Sequence, residues 1–378
     1  MSLFRGHNKA MTSLLVMLFV AGLLVGGLAI FFVTVSDTNG LEAQVASLQA
    51  QVSQLEGSQN ATYQNITIYQ NGTALTELYE KIKDSVVLVQ GATNDGAVQA
   101  SGFVYNHQGR KIVITNYHVV QGTTSLSVTF QNGNGYSATV LGTDPYADLA
   151  IVSVNAPNEE FKPLQIASSS TLRVGEQVIA MGNPYGLVGS LTTGVISALG
   201  RTIREDTTSS FSIANIIQTS TPINPGNSGG PMLNAAGQVI GVTTAVVSDS
   251  QGLAFAIPSN TILREIGALI TTGTYSGHSY LGVNGDDMSY NSAQQTGSSV
   301  TYGWRIALIV SGGPSDGKLE VGDVIVALND VKIKNNDDLA SYLEENTLPD
   351  QTVEITVMRN NVNTKVTIEL GQRPAPTT

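Results

Sequence analysis

The sequence predicts a mainly-β protein of two or three domains, preceded by a transmembrane helix and a helical stalk. The chain has 378 residues, which is enough for more than one domain. Short runs rich in Val, Ile and Thr recur with Gly and Asn between them, which is typical of an antiparallel sandwich or barrel. One long apolar stretch near the N-terminus breaks this pattern and predicts the membrane-spanning part.

The composition argues against several functional classes. Charged residues make up only 12% of the chain, its net charge is −11, and lysine and arginine form no cluster beyond pairs, so we expect no nucleic-acid partner. The absence of cysteine excludes disulfides, cysteine zinc sites and a cysteine nucleophile. In an exported protein it also favours a prokaryotic source. We expect neither a metal nor an organic cofactor.

Residues 11–35 predict a single-pass membrane anchor. No charged residue occurs between Lys9 and Asp37, and at ~1.5 Å per residue this length can cross a hydrocarbon core of ~30 Å. Arg5 and Lys9 precede the stretch, whereas the first charges after it are acidic. The positive-inside rule therefore predicts that residues 1–10 are a cytoplasmic tail and that the rest of the chain is extracellular or periplasmic.

A cleaved signal peptide is the alternative to this anchor. The small residues of Val20-Ala21-Gly22 could form a cleavage site, and cleavage would release a soluble secreted protein. The apolar stretch is longer than a usual signal-peptide core, which favours the anchor.

Residues 36–74 are predicted to form a stalk. Its first part contains five apolar residues in alternating steps of four and three, which is the heptad spacing of a short coiled coil. These are Leu41, Val45, Leu48, Val52 and Leu55. Val at a and Leu at d positions favour a parallel dimer.

The second part of the stalk contains N-glycosylation sequons, and the rest of the chain has none. Their acceptor residues are Asn60, Asn65 and Asn71. Because the predicted topology places this segment outside the membrane, the sequons indicate a glycosylated stalk shielded from proteases.

A glycine-walled turn at residues 224–231 contains the first candidate for catalysis, Ser228. A serine hydroxyl is a poor nucleophile unless a base activates it and donors stabilise the oxyanion that it creates. Gly226 can adopt backbone angles that a Cβ would forbid. The amides of Gly226 and Ser228 could then form an oxyanion hole, although the same residues also suit an ordinary surface turn.

His118 is the best candidate for the base among four histidines. His7 is in the basic tail, His107 in a predicted hairpin loop, and His278 in a Gly/Ser-rich linker. His118 comes at the end of a predicted strand that starts at Lys111, where one side of its ring can be exposed and the other anchored. Such a histidine alone is more often structural than catalytic.

Asp148 is the candidate for the carboxylate that orients the histidine. It leads an apolar run and would be drawn inward with that strand, whereas Asp144, ahead of Pro145, is better explained as a turn former. An inward Asp148 that holds His118, with His118 taking the proton of Ser228, follows the logic of a serine-protease triad.

The segments around His118, Asp148 and Ser228, in that chain order, resemble the HtrA/Deg family of trypsin-fold serine proteases. The resemblance runs from about Leu78 to Gln372. Further matching segments are residues 100–104, 180–184 and 254–259. The resemblance implies a chymotrypsin-like double β-barrel protease domain at residues 75–273 and a C-terminal PDZ domain with a tail at residues 274–378.

Within the protease domain we expect a short amphipathic helix over residues 75–82 and then two antiparallel barrels, at about residues 86–164 and 174–257. The catalytic cleft would lie between the barrels. A closing helix is predicted to be capped by Ser259-Asn260 and to end near Gly273.

Residues 274–279 read as a flexible linker to the PDZ domain. The next four residues resemble the loop of a PDZ domain that binds a peptide carboxylate. They are Tyr280, Leu281, Gly282 and Val283. Residues 322–330 resemble the central hairpin of that domain, and residues 336–344 its groove helix.

Two segments of the PDZ domain depart from the family pattern. Residues 313–319 replace its usual apolar stretch, and residues 291–301 look like a polar insertion or loop filler. These departures leave open which peptides the groove prefers.

The resemblance implies a serine endopeptidase that cleaves unfolded or damaged exported proteins. We expect the walls of its substrate pocket to come from four residues: Asn224, Thr243, Thr244 and Ala245. None is acidic, so a small or medium apolar side chain before the scissile bond is expected rather than Lys or Arg.

The expected partners are unfolded protein or peptide substrates, the lipid bilayer through residues 11–35, and further copies of the chain. The resemblance implies a trimer, while the stalk favours a dimer. The alternative function is a largely latent surface chaperone or peptide-binding sensor.

Overall fold

We analysed a computed structural model. It describes Met17, Leu23, and residues 72–94, 96–183, 189–204, 212–224, 226–246 and 253–375. Apart from Met17 and Leu23, the predicted tail, anchor, heptad run and three sequons lie outside these residues. Within the described parts of the chain, no helix has the length and apolar character needed to cross a bilayer. Everything below concerns the second of two compact units, residues 68–378.

The first barrel follows helix α1 (Gly72–Ile82), which begins three residues earlier than expected. Its six strands are β1 (Val86–Thr93), β2 (Gly96–His107), β3 (Arg110–Thr115), β4 (Ser125–Thr129), β5 (Gly135–Asp144) and β6 (Leu149–Val154). They close in the order β1-β2-β3-β6-β5-β4. Alternate β-branched side chains such as Val87, Val89 and Val152 fill the interior and are fully buried.

His118 does not lie at the end of a strand, as the sequence suggested. Strand β3 ends at Thr115, and residues Tyr117–Val120 form a single helical turn, α2. Gln121 N–H donates to the Tyr117 carbonyl at 3.0 Å and closes this turn. The β-branched pair Val119-Val120 looked like more strand, but both side chains are buried in the barrel core from the helix.

The second barrel closes in the order β10-β11-β12-β9-β8-β7. Its strands are β7 (Gln177–Gly182), β8 (Ser190–Arg204), β9 (Ser212–Thr219), β10 (Pro231–Leu233), β11 (Val239–Val246) and β12 (Ala254–Pro258). One apolar cluster joins the two barrels: Phe103 and Leu149 of the first are in the same core as Met181 and Val242 of the second. This shared core fixes the cleft between the barrels.

Helix α3 (Ser259–Thr271) closes the two-barrel domain and ends close to the predicted position. The predicted cap is wrong, because the N-cap residue is Pro258 and it makes no side-chain bond to the helix. The Ser259 hydroxyl instead donates to the Ala167 carbonyl at 2.6 Å. The Asn260 Oδ1 accepts from the Ser169 N–H at 3.1 Å. Both side chains fasten the helix to the segment that precedes the second barrel.

The C-terminal domain has a five-strand path, β14-β15-β16-β18-β19, with β17 paired to β16 and a separate pair formed by β13 and β20. The strands are β13 (Ser279–Tyr280), β14 (Val283–Asp287), β15 (Trp304–Ile309), β16 (Val324–Leu328), β17 (Val331–Lys332), β18 (Thr352–Arg359), β19 (Val362–Glu369) and β20 (Gly371–Gln372). The expected central hairpin is β16–β17, and the groove helix is α5 (Asn336–Asn346).

Two expectations for this domain are wrong. The supposed polar insertion begins with helix α4 (Tyr290–Thr296), which starts with a capping box between Ser289 and Ser292. The supposed flexible linker is packed, because His278 is only 5% exposed and both of its ring nitrogens bind carboxylates. The Gly/Ser content of this segment suggested flexibility, but His278 makes buried contacts with residues that are distant in the sequence.

Helix α5 of the C-terminal domain packs directly against the β8–β9 hairpin of the second barrel. Asp337 forms an ion pair with Arg201 at 3.0 Å and accepts the Thr202 N–H at 2.8 Å. The Ser341 hydroxyl donates to the Gly200 carbonyl at 2.9 Å. These contacts place one wall of the PDZ groove beside the second barrel.

Candidate active site

The structure brings His118 and Asp148 together as the sequence predicted. The Nδ1 atom of His118 lies 2.9 Å and 3.1 Å from the two carboxylate oxygens of Asp148. The backbone N–H of His118 donates to the same carboxylate at 3.0 Å. Because Nδ1 faces the carboxylate, the imidazole is oriented with Nε2 on the opposite side of the ring.

Asp148 is held rigidly enough to orient this histidine. It is 1% exposed and has a φ of 50°, which few residues other than Asn, Asp and Gly adopt easily. Its backbone carbonyl accepts from the Asn116 side chain at 3.0 Å and from the Tyr117 N–H at 3.1 Å. The Thr244 hydroxyl donates to its Oδ2 at 2.5 Å. The contacts of the carbonyl fix the backbone of Asp148, while the Thr244 hydroxyl and the His118 N–H compensate the buried negative charge of its carboxylate.

The turn around Ser228 has the backbone that its glycines predicted. Gly226 has a φ of 98° and Gly229 a φ of 82°, both in the region that favours glycine. The Asn227 N–H donates to the Asn224 carbonyl at 2.9 Å, which closes the turn. Ser228 is half-buried, and its hydroxyl donates to the Thr244 carbonyl at 3.0 Å.

Ser101 on β2 is a residue whose role the sequence analysis missed. Its N–H donates to the Ser228 carbonyl at 2.8 Å, and its hydroxyl donates to the Gly226 carbonyl at 2.6 Å. That hydroxyl also accepts from the Asn183 N–H at 2.8 Å. Ser101 is fully buried, so this one side chain from the first barrel fixes the turn around Ser228 in the second. The available signal was a lone hydroxyl within the apolar run 100–104.

The same contacts hold the peptide groups next to the two amides of the predicted oxyanion hole. Because the Gly226 carbonyl is bound to Ser101, the peptide group that follows Gly226 has a fixed orientation. Within the described part of the chain, no backbone carbonyl accepts from the amides of Gly226 or Ser228. Both amides can therefore serve an oxygen atom of a ligand.

Two of the four residues predicted to line the substrate pocket are buried and make other contacts. Thr243 and Thr244 are buried, with exposures of 0% and 1%. The Thr243 hydroxyl donates to the Asn227 carbonyl at 2.6 Å and so supports the turn, while Thr244 supports Asp148. Side chains alternate between the two faces of β11, and this alternation alone does not show which threonine hydroxyls are buried. Asn224 is exposed, and the side chain of Ala245 lies outside the described residues.

The predicted carboxylate-binding loop lies at the mouth of a cavity of about 270 Å³ between β14 and α5. All four residues named from the sequence line it: Tyr280, Leu281, Gly282 and Val283. Leu339 and Leu343 of α5 supply apolar walls, and Thr202 and Ser212 of the protease hairpin form its far side. Gly282 has a φ of 75°, which explains the glycine in this loop.

Among the described residues, one buried group has the composition of a metal site. Asp144, Glu265 and His278 offer ligand atoms within 4.8 Å of one another. The His278 Nε2, however, already binds Asp144 at 2.6 Å, and its Nδ1 binds Glu344 at 3.0 Å. The group lies between the two domains, away from Ser228, and we assign it a structural role.

Comparison with known protein families gives two matches. The model of the trypsin-like peptidase domain matches residues 100–242, and that of the PDZ domain matches residues 279–370. The first match contains His118, Asp148 and Ser228, and the second begins just before the carboxylate-binding loop.

Similar proteins carry the same combination. A putative serine protease HhoA from Synechocystis is 34% identical over 74% of this chain and 72% of the relative. The chloroplastic Protease Do-like 1 from Arabidopsis thaliana is 35% identical over 72% of this chain. A probable periplasmic DegP-like serine endoprotease from Chlamydia pneumoniae is 38% identical over 74%. The chain spans only 64% and 56% of the lengths of these last two relatives.

Solved structures agree with these relatives. The HtrA-type protease AlgW in complex with a tripeptide is 30% identical, with a TM-score of 0.66, over 80% of this chain and 98% of that one. Its complex with a decapeptide gives a TM-score of 0.63 at 28% identity. The expectation drawn from the three motifs is confirmed: the chain belongs to the HtrA family of serine proteases, with a trypsin-like peptidase domain and a PDZ domain.

Proposed function

We propose that this protein is a serine endopeptidase that uses Ser228, His118 and Asp148 as a catalytic triad. The observation that carries the proposal is the contact of Asp148 with His118 Nδ1 at 2.9 Å, with Thr244 in contact with both Asp148 and Ser228. Asp148 selects the tautomer with the proton on Nδ1, which leaves Nε2 as the base.

In the proposed reaction, Ser228 attacks the peptide carbonyl while His118 Nε2 takes its proton. The hydroxyl exchanges its bond to the Thr244 carbonyl for one to the imidazole as substrate enters. The amides of Gly226 and Ser228 stabilise the tetrahedral oxyanion, and a donor of this kind contributes ~3 kcal/mol. His118 then gives the proton to the leaving amine, and water releases the acyl group by the same steps.

The proposed substrates are unfolded or damaged exported proteins, with the PDZ domain as a peptide-binding or regulatory module. The solved relatives include AlgW complexes with a tripeptide and a decapeptide, which supports peptide ligands. None of the residues expected to form the substrate pocket is acidic, so we retain the preference for a small or medium apolar residue before the cut.

We further propose that residues 11–35 anchor the protein with residues 1–10 in the cytoplasm and both domains outside. The charge asymmetry around the apolar stretch and the sequons at Asn60, Asn65 and Asn71 support this topology. Oligomerisation through the stalk or the protease domain belongs to the same proposal. Retention in the membrane pellet after carbonate washing tests the anchor, and a mature chain that starts near residue 22 would contradict it.

A largely latent chaperone or peptide sensor is the second candidate. One observation favours it: the Ser228 hydroxyl donates to the Thr244 carbonyl at 3.0 Å, which suits a resting enzyme. The two candidates share the fold and differ in the fraction of molecules that turn over substrate.

Casein turnover by wild type and by Ser228→Ala tests the proposed activity. We expect turnover by the wild type, with no release of fragments by the variant. A fluorophosphonate that labels activated serines counts competent molecules, so weak turnover with weak labelling would indicate the latent state. Equal casein cleavage by both proteins would refute the assignment of Ser228.

A further inference from the structure

Arg373 lies at the peptide groove although it follows the segment matched by the PDZ family model, which ends at residue 370. Strand β20 pairs with β13, and the Arg373 N–H then donates to the His278 carbonyl at 2.9 Å. This brings Arg373 to the cavity that Tyr280 and Gly282 also line. Arg373 therefore lines the groove, although it lies outside the segment that the PDZ family model matches.

The guanidinium of Arg373 makes few hydrogen bonds for a group with five N–H donors. One of its nitrogens donates to the Ser212 carbonyl at 3.4 Å, and its central carbon lies 3.8 Å from the centroid of the Tyr146 ring. Among the described residues, no carboxylate forms a direct salt bridge with it, and Glu344 and Asp144 act on its charge from longer range. Arg264, by contrast, pairs with both Glu265 and Glu344. A half-buried guanidinium with five N–H donors and one long hydrogen bond retains capacity for an anion.

The opposite side of the cavity offers further donors. Within the described chain, no backbone carbonyl accepts from the amides of Leu281 or Gly282. Glu344 is the acidic residue on the cavity wall, but it is already bound to His278 and Arg264. Its charge is therefore compensated, and a carboxylate that enters the groove faces more donors than negative charge.

We propose that Arg373 binds the C-terminal carboxylate of a peptide in this groove, together with the amides of Leu281 and Gly282. The inference rests on the proposed role of the PDZ domain in peptide binding. Such a peptide lies as an added strand beside β14, with its last side chain against Leu339 and Leu343. The guanidinium can bind both carboxylate oxygens at once, which a single backbone amide cannot do.

The test compares peptides that differ only in this carboxylate. Full-length protein carrying Ser228→Ala, which prevents cleavage, is titrated with fluorescein-labelled decapeptides ending in Val, Leu or Phe. Each peptide is made as the free acid and as the C-terminal amide. We expect the acid to bind at least tenfold more tightly than the amide. Arg373→Gln is expected to weaken acid binding about tenfold and to leave amide binding unchanged.

The ratio of acid to amide affinity is measured within one protein preparation, so partial unfolding of a variant cancels from it. Arg373→Lys should keep part of the ratio, because it retains the charge but not the fork geometry. Arg110→Gln, on an exposed hairpin of the first barrel, should leave the ratio at its wild-type value. An unchanged ratio in Arg373→Gln would overturn the inference and leave the amides as the carboxylate site. Failure of the Ser228→Ala protein with Arg373 intact to bind either form would refute the proposed peptide-binding function itself.

Discussion

The Nε2 atom of His278 lies 2.6 Å from Oδ2 of Asp144, which joins the start of the PDZ domain to the end of β5 in the protease domain. The Nδ1 atom of the same ring lies 3.0 Å from Glu344 on α5. The rings of Tyr146 and Tyr275 pack edge-on against it at 5.4 Å and 5.0 Å. Although burial opposes a charge here, hydrogen bonds to Asp144 and Glu344 raise the pKa of His278 to about 10.

The groups around His278 complete a buried charge cluster. Burial opposes ionisation of Glu344, but hydrogen bonding and charge from His278, with Arg264, lower its pKa to about 2. Burial, and then the charge of Asp144, raises the pKa of Glu265 well above its ordinary value. The cluster thus contains two cationic side chains, His278 and Arg264, together with three carboxyl groups, those of Asp144, Glu344 and Glu265. These buried ion pairs join the protease domain to the PDZ domain.

The first prediction is a pH-dependent stability that comes from this cluster. The raised pKa of His278 contributes stability that is complete below its unfolded value of ~6.5 and is lost as the pH rises through about 10. The lowered pKa of Glu344 contributes stability that is complete above ~4.5 and is lost as the pH falls through about 2. The melting temperature should therefore be highest between about pH 4.5 and 6.5.

His278→Gln tests whether the loss of stability at alkaline pH comes from His278. At pH 6 the variant should be less stable by about 3 kcal/mol, because Asp144 and Glu344 lose their shared cation. By pH 9 the difference from wild type should shrink. Calorimetric melting at several pH values between 5 and 10 measures both effects. Parallel curves for the two proteins would show that His278 is not the titrating group.

The second prediction concerns the triad. Ser228→Ala, His118→Ala and Asp148→Ala should each reduce turnover by several orders of magnitude, and the double variants should lose little more, because the three groups act as a unit. Melting temperatures of the Ser228 and His118 variants should stay close to wild type. Additive losses in the double variants would mean that the residues act independently.

The third prediction follows from the contacts of Ser101. Ser101→Ala removes the hydroxyl that binds the Gly226 carbonyl and the Asn183 N–H, so the oxyanion turn becomes less well positioned. We expect kcat to fall about tenfold with little change in KM, since one hydrogen bond of ~1 kcal/mol or more is lost. Ser137→Ala on the exposed face of β5 is the matched control. A changed KM at constant kcat would place Ser101 in substrate binding instead.

The fourth prediction separates two roles for Thr244. As a support for Asp148, Thr244→Val should lower kcat about tenfold for every peptide substrate, because the carboxylate loses a donor at 2.5 Å while the side-chain shape is kept. As a pocket wall, it would change the preference for the residue before the cut. Rates on a series of peptides that end in Ala, Val, Leu or Phe before the scissile bond distinguish the two.

The active-site segments could be predicted because each carries its own local signal: glycines around Ser228, and an aspartate that leads an apolar strand. His278 could not, because its partners Asp144 and Glu344 lie 134 and 66 residues away in the chain. Ser259 and Asn260 failed as a cap for the same reason, since both side chains bind a neighbouring segment rather than their own helix. Periodicity and turn chemistry describe neighbours in sequence, and these contacts depend on how the barrels and the PDZ domain meet.

The last prediction links the peptide groove to the catalytic turn. Tyr146 lies between Asp144 and Asp148, its ring packs under the Arg373 guanidinium at 3.8 Å, and its hydroxyl donates to the Pro374 carbonyl. A peptide that draws Arg373 toward its carboxylate changes the contacts of this ring and so acts on the turn that holds Asp148.

A saturating concentration of a groove-binding peptide with a free C-terminal carboxylate should change the rate at which the wild type cleaves a short substrate. The variant Tyr146→Leu should lose most of this effect of the peptide on the rate. Its affinity for the groove peptide should stay within about threefold of wild type, since the amides and the guanidinium remain. Tyr290→Leu, which alters an exposed ring of α4, serves as the control. A Tyr146→Leu protein that responds as fully as wild type would show that the signal reaches the active site by another route, such as the contacts of α5 with Arg201 and Thr202.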